Sequence, residues 1–544
     1  MRSIIVNIQR TYRKIDWQLL LFLVLVLDVK LFVKLAALLL LTVINRRRIS
    51  VQGVFKQRYL WFYFGMIVIG FINVLLQYKY LTLFYVLVAT LGTLFWILCA
   101  VAAFHAFGII QNGSLVKKYY TVGFFFLLHI SIILFNFLSI IIETGSINPY
   151  KYKGLNNKYF VSTGDSLKGI TFDSPVTTAM ICAFGILFFL YRRRFFYSFL
   201  CMLALLLLAS NLTNIFLVCV CVFIFIFHSD RIQKSILVIF SGMLIIFNVV
   251  VSPDNNEHIF SFLYKLVGKA YYLPKVKVLT NDELKQQPDS LLTIKERRIK
   301  TALIYIDSVN SVETRAKVIR DQKNNAVVLQ DKPKDKDSAF YEYRPSVEVK
   351  GKENRFSILL KELYPEAKKD SLAKLFDWER SGKLIAYKEL FSFLKDHKDK
   401  IWLGTGIGNF SSRVAFKATA LDIAGSYPAK YQYIHPDFMD NHFYIYLHYH
   451  SQWQFEHTAA NTPDSTYSEI LGEYGIAGIL LFVIFYCGYF LRRLRYLTYG
   501  IPLFFLMLMG LSVEYWFEQL SIIILFELLM VLDIRSLTER RQLT

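Results

Sequence analysis

Cysteine is scarce in this chain. There are six in 544 residues, namely Cys99, Cys182, Cys201, Cys219, Cys221 and Cys487. All six fall inside apolar runs, which excludes a disulfide framework for the long polar stretch late in the chain. Acidic residues are also in deficit, with 41 Asp and Glu against 62 Lys and Arg and a formal net charge of +21. No basic-and-aromatic nucleic-acid module accompanies that excess, so nucleic acid is not the expected partner. The apolar run after Trp17 lacks a small-residue cleavage site and leads into further apolar segments, so no cleavable signal peptide is expected. There is no internal repeat. His435, His442, His448, His450 and His457 match no compact zinc spacing, and the chain is expected to carry no metal and no cofactor.

What the chain has instead is apolar length. Hydrophobic residues make up 55% and aromatics 16%, with 48 Phe and 34 Tyr, and the mean hydropathy is +0.40. That composition places the chain in a bilayer. Residues 17–44 read as a tight pair of spans turning near Asp28, Lys30 and Lys34, with a single long span as the alternative. Further spans are expected over 59–76, 81–104, 120–142, 176–191, 195–209, 213–227, 237–251, 476–491, 501–511 and 517–532. The fold class expected is an all-α polytopic membrane protein of about twelve transmembrane helices, with one large, mainly helical extracytoplasmic domain between late spans. Residues 1–252 form a first bundle of about nine spans, 253–464 the outer domain, and 465–544 about three closing spans.

Positive charge sets the orientation. Arg46 to Arg48, Lys117, Lys118, Arg192 to Arg194, Arg231, Lys234, Arg492, Arg493, Arg495, Arg540 and Arg541 all fall on one side of that plan. By the positive-inside rule this side is the cytoplasm, with both termini there and the loop 145–174 and the segment 253–464 outside. The large domain is then expected to face away from the cytoplasm. Within that domain, 282–317 and 355–395 read as amphipathic helices. Leu359, Leu360, Leu363, Leu372, Leu375, Leu384, Leu390 and Leu394 recur at three- and four-residue spacing. Residues 331–354 have the charge of a solvated linker.

The stretch 401–491 is the most informative. It opens on the glycine turn Gly404-Thr405-Gly406-Ile407-Gly408-Asn409-Phe410 and passes through an aromatic loop with Tyr431, Tyr433 and Phe443. It then reaches Thr462-Pro463-Asp464-Ser465-Thr466-Tyr467 and Glu473-Tyr474-Gly475-Ile476-Ala477-Gly478, ahead of an apolar run. Thr462 suits an N-cap and Pro463 a first helical position, so a helix is expected to start there, its first N–H groups free for a phosphate. The glycine turn lacks the Gly-Lys-Ser/Thr of a nucleotide loop, and tight-turn geometry accounts for it.

This block resembles the O-antigen ligase family in its Gly-x-Gly-x-Gly-Asn-Phe turn, its Pro-x-Ser-x-Tyr helix entry (Pro463, Ser465, Tyr467) and its Glu-x-Gly-x-x-Gly (Glu473, Gly475, Gly478). The resemblance implies transfer of a glycan from a polyprenyl-diphosphate carrier to an acceptor outside the inner membrane. That acceptor is a lipid-A core sugar, another glycan chain, or a protein side chain, and membrane lipids surround the enzyme. It further implies a histidine ahead of the late helix and arginines near the outer face.

This chain departs from the pattern at three positions: Asp464 stands for the histidine, Lys383 for an arginine in Ser381-Gly382-Lys383-Leu384, and Asn211 for the arginine of a Ser-Arg pair. Asp464 and His457 are then the candidate catalytic residues, the first alternatively a helix-end carboxylate and the second a loop histidine that titrates near neutrality. Arg380, Lys383, Arg413 and Lys417 are the candidate diphosphate contacts, with solvated or headgroup-facing charge as their alternative. Asn409 and Tyr467 complete the expected substrate contacts. A transporter and a catalytically inactive glycan-binding relative are the rival readings.

Overall fold

The computed structural model describes residues 14–44, 57–78, 81–145, 147–148, 150, 167–208, 217–218, 220–225, 231–251, 285–286, 300, 382–420, 427–443, 445, 462–494 and 497–543. The chain divides into two compact units, one of residues 1–152, 158–270 and 353–544 and the other of 153–157 and 271–352. Every element named below belongs to the first.

Among the described residues the structure is helical throughout, without strands. The expected pair over 17–44 is α1 (Trp17–Val26) and α2 (Leu31–Ile44), turning where Lys30 N–H donates to Asp28 Oδ1 at 2.8 Å. Then follow α3 (Leu60–Leu76), α4 (Leu83–Gln111), α5 (Leu115–Thr144), α6 (Pro175–Tyr191), α7 (Phe195–Leu208) and α8 (Arg231–Ile246). Among the described residues, three helices are long and apolar enough to cross a membrane: α4, α5 and the late helix α11, Thr466–Leu481 running on to Leu491. Six shorter apolar helices join them: α1, α2, α3, α6, α7 and α12 (Gly500–Gly510). The chain closes with α13 (Trp516–Gln519) and α14 (Ser521–Leu543), whose apolar first half is wholly buried between α4, α6 and α12.

The two ends of this body differ chemically. At one end Lys118 pairs with Asp16, and the Arg192 guanidinium lies 3.8 Å over the Tyr119 ring. There Arg535 also donates to the carbonyls of Ile110 and Gly113. At the other end lie the turn at Asp28, the end of α3, the start of α4 and the polar segment after residue 382. Val29 N–H donates to Thr171 O there at 2.9 Å, and Asn73 Nδ2 to Leu403 O at 2.6 Å.

Of the amphipathic helices expected in the polar segment, α9 (Gly382–Asp396) is described; residues 355–381 and the linker 331–354 lie outside the described residues, as does nearly all of 282–317. Its buried stripe is Ala386, Leu390, Phe393 and Leu394, and Leu384 faces out. Leucine spacing therefore misplaced one edge of the stripe, because Phe393 packs on Phe410 with ring centroids 4.7 Å apart and sets the rotation.

Candidate functional site

The glycine turn and α11 form one backbone structure. Thr405 and Gly406 N–H donate to the carbonyls of Gly472 and Glu473 at 2.9 and 3.0 Å, while Ile476 and Ala477 N–H donate to those of Ile401 and Trp402 at 2.9 and 3.0 Å. Such pairing requires α11 to open, and it opens at Gly475, with φ 64° and ψ −162°. A Cβ on Gly475 would sit 2.5 Å from the Trp402 oxygen, and one on Gly404 (φ +75°) 2.4 Å from the Glu473 carbonyl carbon. Only glycine allows both the sign of φ and the approach. The late helix is thus two half-helices with a loop seated in the break.

The fully buried Glu473 carboxylate plugs the turn. Its Oε2 accepts from Gly408 N–H at 2.8 Å and its Oε1 from Phe410 N–H at 3.3 Å. These are the amides that a phosphate loop would offer to a ligand, and here a side chain of the protein consumes them. Asn409, expected to touch substrate, is also buried and internal. It donates to Gln77 Oε1 and Thr405 O at 2.6 and 2.8 Å and accepts from Tyr433 OH at 2.9 Å.

The helix entry also differs from expectation. Ser465, not Thr462, is the N-cap, its hydroxyl accepting from Tyr467 N–H at 3.2 Å, and the first helical residue is Thr466. Thr466 N–H donates to Leu511 O at 2.9 Å. The segment 511–516 therefore satisfies the entry, displacing the local Thr-Pro signal, and the first-turn amides of Thr466 and Tyr467 are not open to a phosphate. Asp464 precedes the cap rather than sitting in the first turn. Tyr467, expected to touch substrate, donates its hydroxyl to Leu508 O at 2.7 Å and braces the helix.

Two of the departures meet. Lys383 at the start of α9 donates to the backbone oxygen of Asp464, and to Val513 O at 2.8 Å. One turn on, Tyr387 OH bonds Ser465 Oγ at 2.6 Å. Burial lowers the Lys383 pKa to about 8 against the opposing pull of Asp464 and Glu514. Burial raises the Glu514 carboxyl to about 7, the Asp464 charge adding to the rise and Arg413 and Lys383 opposing it. Gln519 Nε2 donates to Glu514 Oε2 at 2.9 Å. Glu514 is a residue that the motif reading passed over, since only its fold neighbours mark it.

The short helix α10 (Arg413–Ala418) follows the glycine turn, capped by Ser412, with Val414 N–H donating to Glu518 Oε2 at 3.2 Å. Arg413 and Lys417 share a face of it and are half-buried. Neither has an ion-pair partner among the described residues. Burial and then Arg413 lower the Lys417 pKa. Lys383, Asp464, Glu514 and Arg413 thus gather in one charged cluster, termed the charged mouth, where the α9 start, the α11 entry and the 511–516 turn converge, with Lys417 one helical turn beyond Arg413.

Arg380, His457 and Asn211 lie outside the described residues. Two loop histidines are described, and both are structural. His435 caps the turn at Pro436 through Asp437 N–H at 3.2 Å, and burial lowers it to about 4. His442 stands edge-on to Phe410 at 4.6 Å, and burial lowers it to about 3. A base with a pKa that low holds little affinity for a proton near neutrality.

Comparison with known proteins finds no matching family model, no similar curated protein and no similar solved structure.

Proposed function

We propose that this protein is a glycosyltransferase of the O-antigen ligase type, moving a glycan from a polyprenyl-diphosphate carrier to an acceptor hydroxyl at the outer face of a bacterial inner membrane. The observation that carries the reading is the meeting of Lys383 with Asp464. Two positions where the chain departs from the family pattern, 81 residues apart in sequence, share a hydrogen bond near Arg413 and Lys417, neither of which has an ion-pair partner among the described residues. In this reading the arginine-rich end of the body is cytoplasmic, about twelve helices span, and the charged mouth faces the periplasm.

The reaction is a substitution at the anomeric carbon. The acceptor oxygen bonds to that carbon as the bond to the diphosphate oxygen breaks, the acceptor proton passes to a carboxylate, and polyprenyl diphosphate leaves as an anion. Arg413 and Lys417 hold the departing charge through side chains, since the glycine-turn amides are engaged by Glu473. Glu514, with its pKa raised to about 7, is suited to receive the proton. Lys383 fixes the mouth rather than binding donor, because its bonds go to backbone carbonyls.

Reconstitution of the purified protein in vesicles with a labelled polyprenyl-diphosphate glycan tests this, alongside gene deletion in the host. Transfer to an acceptor, and accumulation of carrier-linked glycan on deletion, is the expected outcome. A deletion strain with normal carrier pools and unchanged surface glycans overturns it.

One observation favours the transporter reading: α11 is broken at Gly475 and holds buried Glu469 and Glu473, the pattern of discontinuous helices at transport sites. Engagement of Glu473 by the glycine turn weighs against it, because a coupling carboxylate must be free to exchange its partner.

A further inference from the structure

We propose that the arginine-rich end of the helical body, opposite the charged mouth, carries a site for an anionic phospholipid. A cavity of about 530 Å³ opens there between the start of α3 and the end of α11, lined by Arg58, Trp61, Ile484, Phe485, Arg492 and Arg493. The volume lies within the range of small-molecule sites, about 300–1,000 Å³. Three arginines line it, and none has an ion-pair partner among the described residues. Arg493 is held in place, stacked 3.9 Å from the Tyr489 ring centroid while its Nη1 donates to Tyr489 O at 2.9 Å. Tyr489 OH in turn donates to Gln57 Oε1 at 3.2 Å.

The other wall is apolar. Trp61 and Ile484 are exposed large side chains, and Ile484 and Phe485 lie in a π-helical stretch, Phe482–Cys487, inside the late helix. Such wide turns are uncommon and recur at functional positions. Planar guanidinium forks match phosphate oxygens, and a hydrocarbon surface beside them matches an acyl chain. The phosphate of a phosphatidylglycerol-like lipid sits between the arginines, with one chain along Trp61 and Ile484. A zwitterionic headgroup would bring its own cation against three others. Basic pockets between spans at a membrane surface bind acidic headgroups in this way. The inference needs only that the chain lies in a bilayer and does not depend on glycan transfer.

The test is quenching of Trp61 in phosphatidylcholine vesicles containing brominated phosphatidylglycerol or brominated phosphatidylcholine, with Trp61→Phe supplying the background. Trp61 emission is expected to fall at lower mole fractions of the brominated anionic lipid. Each of Arg58→Gln, Arg492→Gln and Arg493→Gln should weaken that preference about fivefold. The triple Arg→Lys variant, which keeps the charge but not the planar forks, should retain more of it than the triple Gln variant and shows that loss in the Gln variants is not misfolding. Equal quenching by both lipids overturns the proposal, as does a preference that survives the triple Gln variant. Loss of the preference on adding millimolar inorganic phosphate assigns the cavity to free anions and overturns the lipid.

Discussion

Lys383 donates its ammonium protons to the backbone oxygens of Asp464 and Val513, the second at 2.8 Å, tying α9 to the α11 entry and to the turn after α12 in one contact. Lys383→Met leaves two carbonyls without a donor. Each unsatisfied buried group costs about 1–3 kcal/mol, so a clear fall in thermal stability is expected. The linkage has a definite sign. Because the folded-state pKa is lowered to about 8 from 10.5, the unfolded chain binds more protons between those values, and this residue makes stability rise with pH across that window. Melting of wild type and Lys383→Met from pH 7.5 to 10.5 should show a steeper rise in wild type, because Lys417, whose pKa burial also lowers, keeps its own contribution in both. Parallel curves would remove the burial account.

The break at Gly475 makes a second prediction. Gly475→Ala places a side chain at φ 64° and 2.5 Å from the Trp402 oxygen. Left-handed backbone alone costs about 1–3 kcal/mol, and the overlap adds to it. The variant should lose the pairing of Ile476 and Ala477 with Ile401 and Trp402, read as faster amide exchange at Ile476 and Ala477. Gly108→Ala, on a helical turn of α4 where an added Cβ meets nothing within 4 Å, is the control for which exchange at those two amides stays slow. Equal exchange in wild type and Gly475→Ala would mean that the loop is not seated in the break.

Glu473→Gln separates a structural carboxylate from a transport one. The carboxylate accepts from Gly408 and Phe410 N–H. Glutamine keeps one acceptor and turns an NH2 group toward an amide N–H. Hydrogen bonds to charged groups contribute about 1.5–3 kcal/mol each, so a drop in melting temperature with a loosened glycine turn is expected. A variant that melts like wild type but fails in solute uptake would support the transporter.

Much of the helical plan was readable from the sequence, because long apolar runs bounded by arginine clusters leave few alternatives. The α1–α2 turn was readable at Asp28 and Lys30, and the meeting of Arg413 with the glycine turn followed from adjacency. What escaped depended on distant partners. Thr462-Pro463 carries the local signal of a helix start, yet Leu511 O and the Ser465 hydroxyl move the start to Thr466. Gly475 sits in an apolar run with helical periodicity, and nothing local shows that residues 401–406 enter there. The role of Glu473 belongs to amides 63 and 65 residues away. Glu514 lies in no motif, and its significance comes from Lys383, Asp464 and Arg413 being brought beside it by the fold.

The last prediction decides which group takes the acceptor proton. With a carboxyl pKa raised to about 7 from 4.5, Glu514 would make the transfer rate climb with pH up to about 7 and then level off. Glu514→Gln should slow transfer by about a hundredfold or more and flatten that limb. Asp464 makes a different, graded prediction. Its charge is the second cause, after burial, of the Glu514 rise, so Asp464→Asn should retain activity while moving the limb to lower pH. The backbone oxygen that holds Lys383 is untouched by that change. Asp464→His, which restores the family residue, should do the same at pH values where the imidazole is neutral. If Asp464→Asn instead abolishes transfer with the protein folded, Asp464 is the base and Glu514 its neighbour. If Glu514→Gln and Asp464→Asn both transfer at the wild-type rate while His457→Ala is inactive, the role passes to His457 and the carboxyl mouth is structural.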